Sequence, residues 1–80
     1  MNVLKQMIDI KLFATLQPFA PPNASCYPVQ AGSSIETLIE MLNLPRDQIR
    51  LIFLNGMTCS LDTILQNGDR VGIFPPVGGG

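Results

Sequence analysis

Residues 33–45 read SSIETLIEMLNLP, and this stretch decides how the rest of the chain must be arranged. Ile35, Leu38, Ile39 and Leu42 recur at i, i+3, i+4 and i+7, which draws one apolar stripe along a helix. Ser33 and Glu36 have the S-x-x-E spacing of a capping box, in which each side chain satisfies the other residue's orphan backbone N–H. Asn43 tolerates the left-handed conformation of a helix stop, and Pro45 cannot continue a helix. The spacing predicts a helix over about 34–43. A helix with one apolar face needs a second layer to cover that face.

The flanking segments supply that layer as strands. Upstream, Ile8, Ile10 and Leu12 alternate with Asp9, Lys11 and Phe13, the period of a half-buried strand. Residues 1–6 have no clear pattern and either extend this strand or form an N-terminal extension. The loop QPFAPPN (17–23) excludes a regular ladder through Pro18, Pro21 and Pro22. SCYPVQ (25–30) then reads as a short second strand, demoted toward an edge by Pro28 and antiparallel to the first. Downstream, IRLIFLNG (49–56) is a β-rich run closed by Asn55-Gly56, a strong hairpin turn signal. MTCS (57–60) offers a brief return strand. LDTILQNGD (61–69) carries Asp62 as a turn or cap residue and a second turn at Asn67-Gly68-Asp69. The last strand runs from Arg70 to Phe74. Val71 and Ile73 point one way, and Arg70, Gly72 and Phe74 the other.

The order β-β-α-β-(short β)-β with one helix is that of an α+β, ubiquitin-like β-grasp. A mixed sheet of four or five strands carries one main helix on one face. Residues 1–74 are expected to form a single domain and residues 75–80 a flexible glycine tail. Ile8, Ile10, Leu12, Val71 and Ile73 should meet Ile35, Leu38, Ile39 and Leu42 in the core. The other face then carries Phe13 and Phe74 with at least one of Leu51, Ile52, Phe53 and Leu54. Parity cannot choose within that wholly apolar run; Phe53 is the candidate that would join the other two rings as a docking surface. An apolar open sheet face marks a partner site unless the loop from Pro18 to Pro22 folds back over it.

Bulk properties narrow the function. Eighty residues make one small domain, and 46% hydrophobic content argues for a real core. A net charge of −1 without a basic cluster gives no electrostatic footprint for nucleic acid. No apolar run reaches the ~18 residues of a membrane span, and MNVLKQMIDI lacks the pattern of a signal peptide. A cytoplasmic protein is expected. Cys26 and Cys59 are far apart, with no CxxC and no histidine in the chain, so a metal site is not expected and both read as ordinary reduced thiols.

The chain closes on FPPVGGG (74–80). Pro75 and Pro76 lack an N–H and fix φ, so the ladder must stop at Phe74. Six further residues reach roughly 20 Å at about 3.3 Å each. Gly78, Gly79 and Gly80 leave the tip slender enough to thread a narrow channel. Glycine ends are often frayed termini, but a strand, a double proline, one small apolar residue and then glycine together point to delivery of the Gly80 carboxylate. Ordering a backbone residue costs about 1–2 kcal/mol, and glycine cannot recover it through side-chain contacts. Affinity should therefore come from the sheet face and Phe74, and access to chemistry from the tail.

With Asn55-Gly56, Asp62, GDRV (68–71), FPPVGGG (74–80) and the LFATL opening (12–16), the chain resembles the ThiS/MoaD family of ubiquitin-like sulfur carriers. The resemblance spans Met7 to Gly80, and FPP draws it toward the molybdopterin branch. It departs from the family in Gly78 before the usual glycine pair and in the six-residue N-terminal extension. The resemblance implies that a ubiquitin-activating-type enzyme adenylates Gly80 with ATP. A persulfide sulfur donor then displaces AMP to leave a thiocarboxylate, and the tail enters the large subunit of a synthase or an equivalent acceptor. Such a chain binds no cofactor and is a substrate of other enzymes rather than an enzyme. Delivery to molybdopterin or tungstopterin synthesis leads. Delivery to thiamine or a sulfur amino acid, a modifier joined to lysines, and an interaction module with an inert tail remain alternatives.

Overall fold

The computed structural model describes residues 5–76, and the readings made for residues 1–4 and 77–80, including the glycine tip, lie outside it. Strand β1 is Lys5–Leu12, β2 Tyr27–Gln30, β3 Leu51–Leu54, β4 Met57–Thr58 and β5 Arg70–Phe74; helix α1 is Ile35–Met41. Lys5 and Gln6 thus extend the first strand. The five strands form one mixed sheet in the order β2-β1-β5-β3-β4. β1 and β5 run parallel at the centre, and every other pairing is antiparallel. β2 lies at an edge, where Pro28 removes a ladder donor at least cost.

All nine predicted core residues from β1, β5 and the helix stripe are buried. Ile52 joins them, as do Leu16, Val29, Leu44 and Leu65, which the periodicity did not single out. Leu16 stands just before the proline-rich loop, in a 3₁₀ helix over Ala14–Phe19 that runs into it. Ala14 turns the chain there at φ 54°, a conformation costing an L-residue about 1–2 kcal/mol. Phe13 stays on the sheet face while Leu16, three residues on, is fully buried.

The helix stops as its sequence implies. Asn43 is left-handed at φ 57°. Its N–H donates to the Glu40 carbonyl and that of Leu44 to the Ile39 carbonyl, both at 3.1 Å. This is a Schellman closure, with Ile39 and Leu44 both buried. The start differs from expectation. The N-cap is Ser34, whose Oγ accepts from the Thr37 N–H at 3.2 Å. The Glu36 N–H, which a capping box would have offered to Ser33, donates to the Leu61 carbonyl, and the Ile35 N–H donates to that of Thr63, both at 2.9 Å. Tertiary partners satisfy the first turn, so the cap shifts by one residue. The Glu36 carboxylate instead meets Arg46 at 3.1 Å, with Glu40 at 3.3 Å from the same guanidinium. These pairs are half exposed and contribute little. Replacement of Ser34 by alanine should therefore cost about 1 kcal/mol in urea unfolding, whereas Ser33→Ala should leave the midpoint nearly unchanged; the reverse order would restore the capping box.

Candidate functional site

Alternation along three strands builds the open face of the sheet. In-register partners share a face, and β5 pairs Gly72 with Lys11 of β1 and with Phe53 of β3. Arg70 likewise faces Asp9, and Phe74 faces Leu51. Ile52 and Leu54 oppose Ile73 and Val71 on the core side. The register thus resolves what parity left open: Leu51 and Phe53 face outward.

The three candidate docking rings come together. Phe13 and Phe74 stack with centroids 4.1 Å apart and planes 3° from parallel. Phe53 meets Phe74 edge-on at 5.5 Å and 83°. Such contacts are worth about 0.5–1.5 kcal/mol beyond burial, so the cluster holds itself in shape without a partner. All three rings are half-buried. The expected chain exit also lies here, because Pro75 and Pro76 follow Phe74 directly, the first half-buried and the second exposed. Residues 18–22 do not line this face, so the loop leaves it open.

Between the rings and the charged ends of β1 and β5 lies a shallow groove of about 650 Å³. Asp9, Lys11 and Arg70 line it together with the rings and Gly72. Sequence reading placed Arg70 and Gly72 on this side but gave neither a role. Alternation puts Asp9 and Lys11 on the Phe13 side of β1, and the β1–β5 register sets them beside Arg70 and Gly72.

The far rim of the groove is Gly56, in the β3–β4 turn, where Asn55 and Gly56 have φ values of 54° and 87°. Positive φ at both positions is what a type I′ hairpin requires. Asn55 ties the turn to β5: its Nδ2 donates to Asp69 Oδ1 and its Oδ1 accepts from the Arg70 N–H, both at 2.9 Å. Asp69, buried, also accepts from the Gln66 N–H at 2.7 Å. The Asn-Gly and GDRV motifs are thus one hydrogen-bonded unit that sets where Arg70 enters the face.

Among the described residues lining the groove, Asp9, Lys11 and Arg70 are the charged side chains, and no hydroxyl or thiol stands beside them. Both cysteines are free thiols elsewhere, Cys26 exposed and Cys59 partly buried. Burial pushes the Cys59 thiol up, partly offset by a hydrogen bond with Thr63, which leaves it a poor nucleophile at neutral pH. Among the described residues no three His, Cys, Asp or Glu side chains are grouped to hold a metal. Among the same residues, no helix is long and apolar enough to cross a membrane.

Among known proteins, the profile of the ThiS family matches residues 10–80. No curated protein sequence matches significantly. The solved structures that share the fold include three from different organisms. Small archaeal modifier protein 1 of Haloferax volcanii is 22% identical, with a TM-score of 0.69 over 90% of this chain and 99% of that one. A protein provisionally described as molybdopterin converting factor subunit 1, from Pyrococcus furiosus, is 25% identical, with a TM-score of 0.66 over 90% of this chain and 99% of its own. A complex of subunits 1 and 2 of molybdopterin-converting factor from Helicobacter pylori matches at 22% identity and a TM-score of 0.60, over 94% of this chain and 100% of the matched one.

Proposed function

The chain belongs to the ThiS family of small ubiquitin-like carrier proteins, and from that premise we propose that it carries sulfur on the carboxylate of Gly80 for molybdopterin or tungstopterin synthesis. The observation that carries this reading is an open, self-supporting aromatic corner at the point where β5 gives way to Pro75 and Pro76. A docking surface beside the exit can hold a partner while a thin tail reaches its active site. The similarity to a molybdopterin converting factor subunit supports the pathway.

The chemistry belongs to the partners. A free carboxylate is a poor electrophile, so a ubiquitin-activating-type enzyme lets the Gly80 carboxylate attack ATP, releasing pyrophosphate and forming an acyl adenylate. The persulfide of a donor then displaces AMP, and a second thiol cleaves the S–S bond to leave the thiocarboxylate. ATP is a substrate of the activating enzyme, and this chain holds no cofactor of its own. Phe74, Phe13 and Phe53 dock, Pro75 and Pro76 aim the tail, and Gly78 and Gly79 thread the channel. The large subunit of a synthase, or an equivalent acceptor, takes the sulfur in the cytoplasm.

Intact mass spectrometry of the chain from its native host tests this. The expected species carries the mass gain of one oxygen replaced by sulfur at the C-terminus. Only unmodified carboxylate, even with activating enzyme, ATP and persulfide donor present, would overturn it. Gly-Gly remnants on the lysines of other proteins would identify a modifier instead, a reading supported by the similarity to the Haloferax protein. Phe74→Asp separates docking from stability. The ring is only half-buried, so the change should raise the KM for adenylation at least tenfold, about 1.4 kcal/mol in transition-state binding. The cost in thermal unfolding should be smaller, because the main loss is one ring stack. Equal losses in both measurements would make Phe74 a core residue.

A further inference from the structure

Gly72 sits at the centre of the open face with every neighbouring position filled. Arg70 and Phe74 flank it along β5, Lys11 and Phe53 face it from the adjoining strands, and Phe13 leans in from the end of β1. Glycine weakens a strand interior, through lost chain entropy and the absence of a side chain to pack. Backbone conformation does not demand it, since only Gly32, Gly56 and Gly68 among the described glycines have positive φ. Close packing does not demand it either. A Cβ built on Gly72 would stand 3.4 Å from the Phe13 ring, at the near edge of ordinary contact, and 3.8 Å from the Phe74 ring. The vacancy is therefore free to serve an outside group.

The walls say what that group is. Three rings on one side select an apolar side chain over Gly72. On the other side stand Lys11 and Arg70, both exposed. Among the described residues the ion pairs join Arg46 to Glu36 and Glu40, and neither Lys11 nor Arg70 takes part in one. Asp9 is the one carboxylate among the described residues lining the groove, so those residues carry an excess of one positive charge within a chain of net charge −1. Glu36 and Glu40 are held instead on the helix.

We infer that the Gly72 vacancy is a specificity pocket for a protein partner that inserts one leucine-like side chain flanked by carboxylates, which pair with Lys11 and Arg70. This rests on the docking reading above and deepens it. The apolar anchor supplies affinity, and the charges set orientation and the rate of encounter. Gly72 is a positioning residue, kept empty at a cost to the strand.

The test needs no partner enzyme, so its failure and the failure of the charging measurement are separate events. The full chain, labelled with ¹⁵N, is titrated with the blocked tripeptide acetyl-Glu-Leu-Glu-amide at millimolar concentration. Acetyl-Glu-Gly-Glu-amide and acetyl-Lys-Leu-Lys-amide serve as comparisons. The expected result is saturable amide shifts centred on Gly72, Phe53 and Phe74 with the first peptide only. Gly72→Ala should melt no lower than the parent yet reduce the titration slope about tenfold, the low end of what one methylene is worth in a tight apolar pocket. The double variant Lys11→Glu with Arg70→Glu should exchange the preference from the acidic to the basic leucine peptide. Equal shifts with all three peptides, shifts centred elsewhere, or an unchanged slope in Gly72→Ala would overturn the inference.

Discussion

Deleting Gly80, or appending one alanine after it, is expected to lower thiocarboxylate formation at least about 100-fold while the domain melts as before. The reason is reach. One residue moves the terminal carboxylate by roughly 3.3–3.6 Å, whereas a displacement of about 1 Å at a reacting centre already costs on the order of 100-fold. The adenylating enzyme must meet the carboxylate in line with the α-phosphate of ATP, so with docking fixed at Phe74 the number of tail residues sets where the carboxylate arrives. Stability should be untouched, because the core closes within β5 at Val71 and Ile73. The measurement is intact mass after incubation with activating enzyme, ATP and persulfide donor, beside a thermal melt of each variant. Undiminished charging of the truncated chain would move the chemistry away from Gly80.

The largest expected loss of stability lies in a segment without regular structure. Leu65→Ala should cost about 2–5 kcal/mol, against a total of about 4–12 kcal/mol for a chain of this length. Leu65 has no solvent exposure, although it lies between β4 and β5 and outside every strand and helix. Its N–H donates to the Ser33 carbonyl at 2.8 Å, just before the helix begins. The same segment offers the Thr63 and Leu61 carbonyls to the first helical N–H groups. Truncating Leu65 therefore opens a cavity beneath the helix N-terminus and loosens the strap that holds it. The neighbouring Ile64 is 46% exposed, and Ile64→Ala should stay within about 0.5 kcal/mol. Urea unfolding of the two variants decides the matter. Similar midpoints would show that the strap is not part of the cooperative core.

That strap also shows why some of the fold was legible and some was not. Hydrophobic period is a local property. Ile35, Leu38, Ile39 and Leu42 announce a helix, and Ile8, Ile10 and Leu12 a strand, with no knowledge of the partner. Leu65, Leu16 and Val29 stand in segments too short or too irregular to repeat, so nothing local separates them from exposed neighbours. The capping residue misled for the same reason. Ser33 and Glu36 form a sound local pattern, but the Glu36 N–H is claimed by Leu61, a residue far along the chain. Local rules describe what a segment prefers when its backbone donors are free, and here they were not.

The site divides in the same way. Sequence alone determined that the chain has one helix and one sheet, that Phe13 and Phe74 share the uncovered face, and that the ladder must stop before Pro75. Each follows from side-chain alternation or from proline's missing N–H, both written residue by residue. Tertiary structure decided that Phe53 and not Ile52 joins those rings, that Lys11 and Arg70 flank an empty position at Gly72, and that Asn55 locks Asp69 and Arg70 in place. Those facts depend on the register between strands remote in sequence. Register is chosen by the whole core at once, because slipping one strand by a single residue would turn every buried side chain outward.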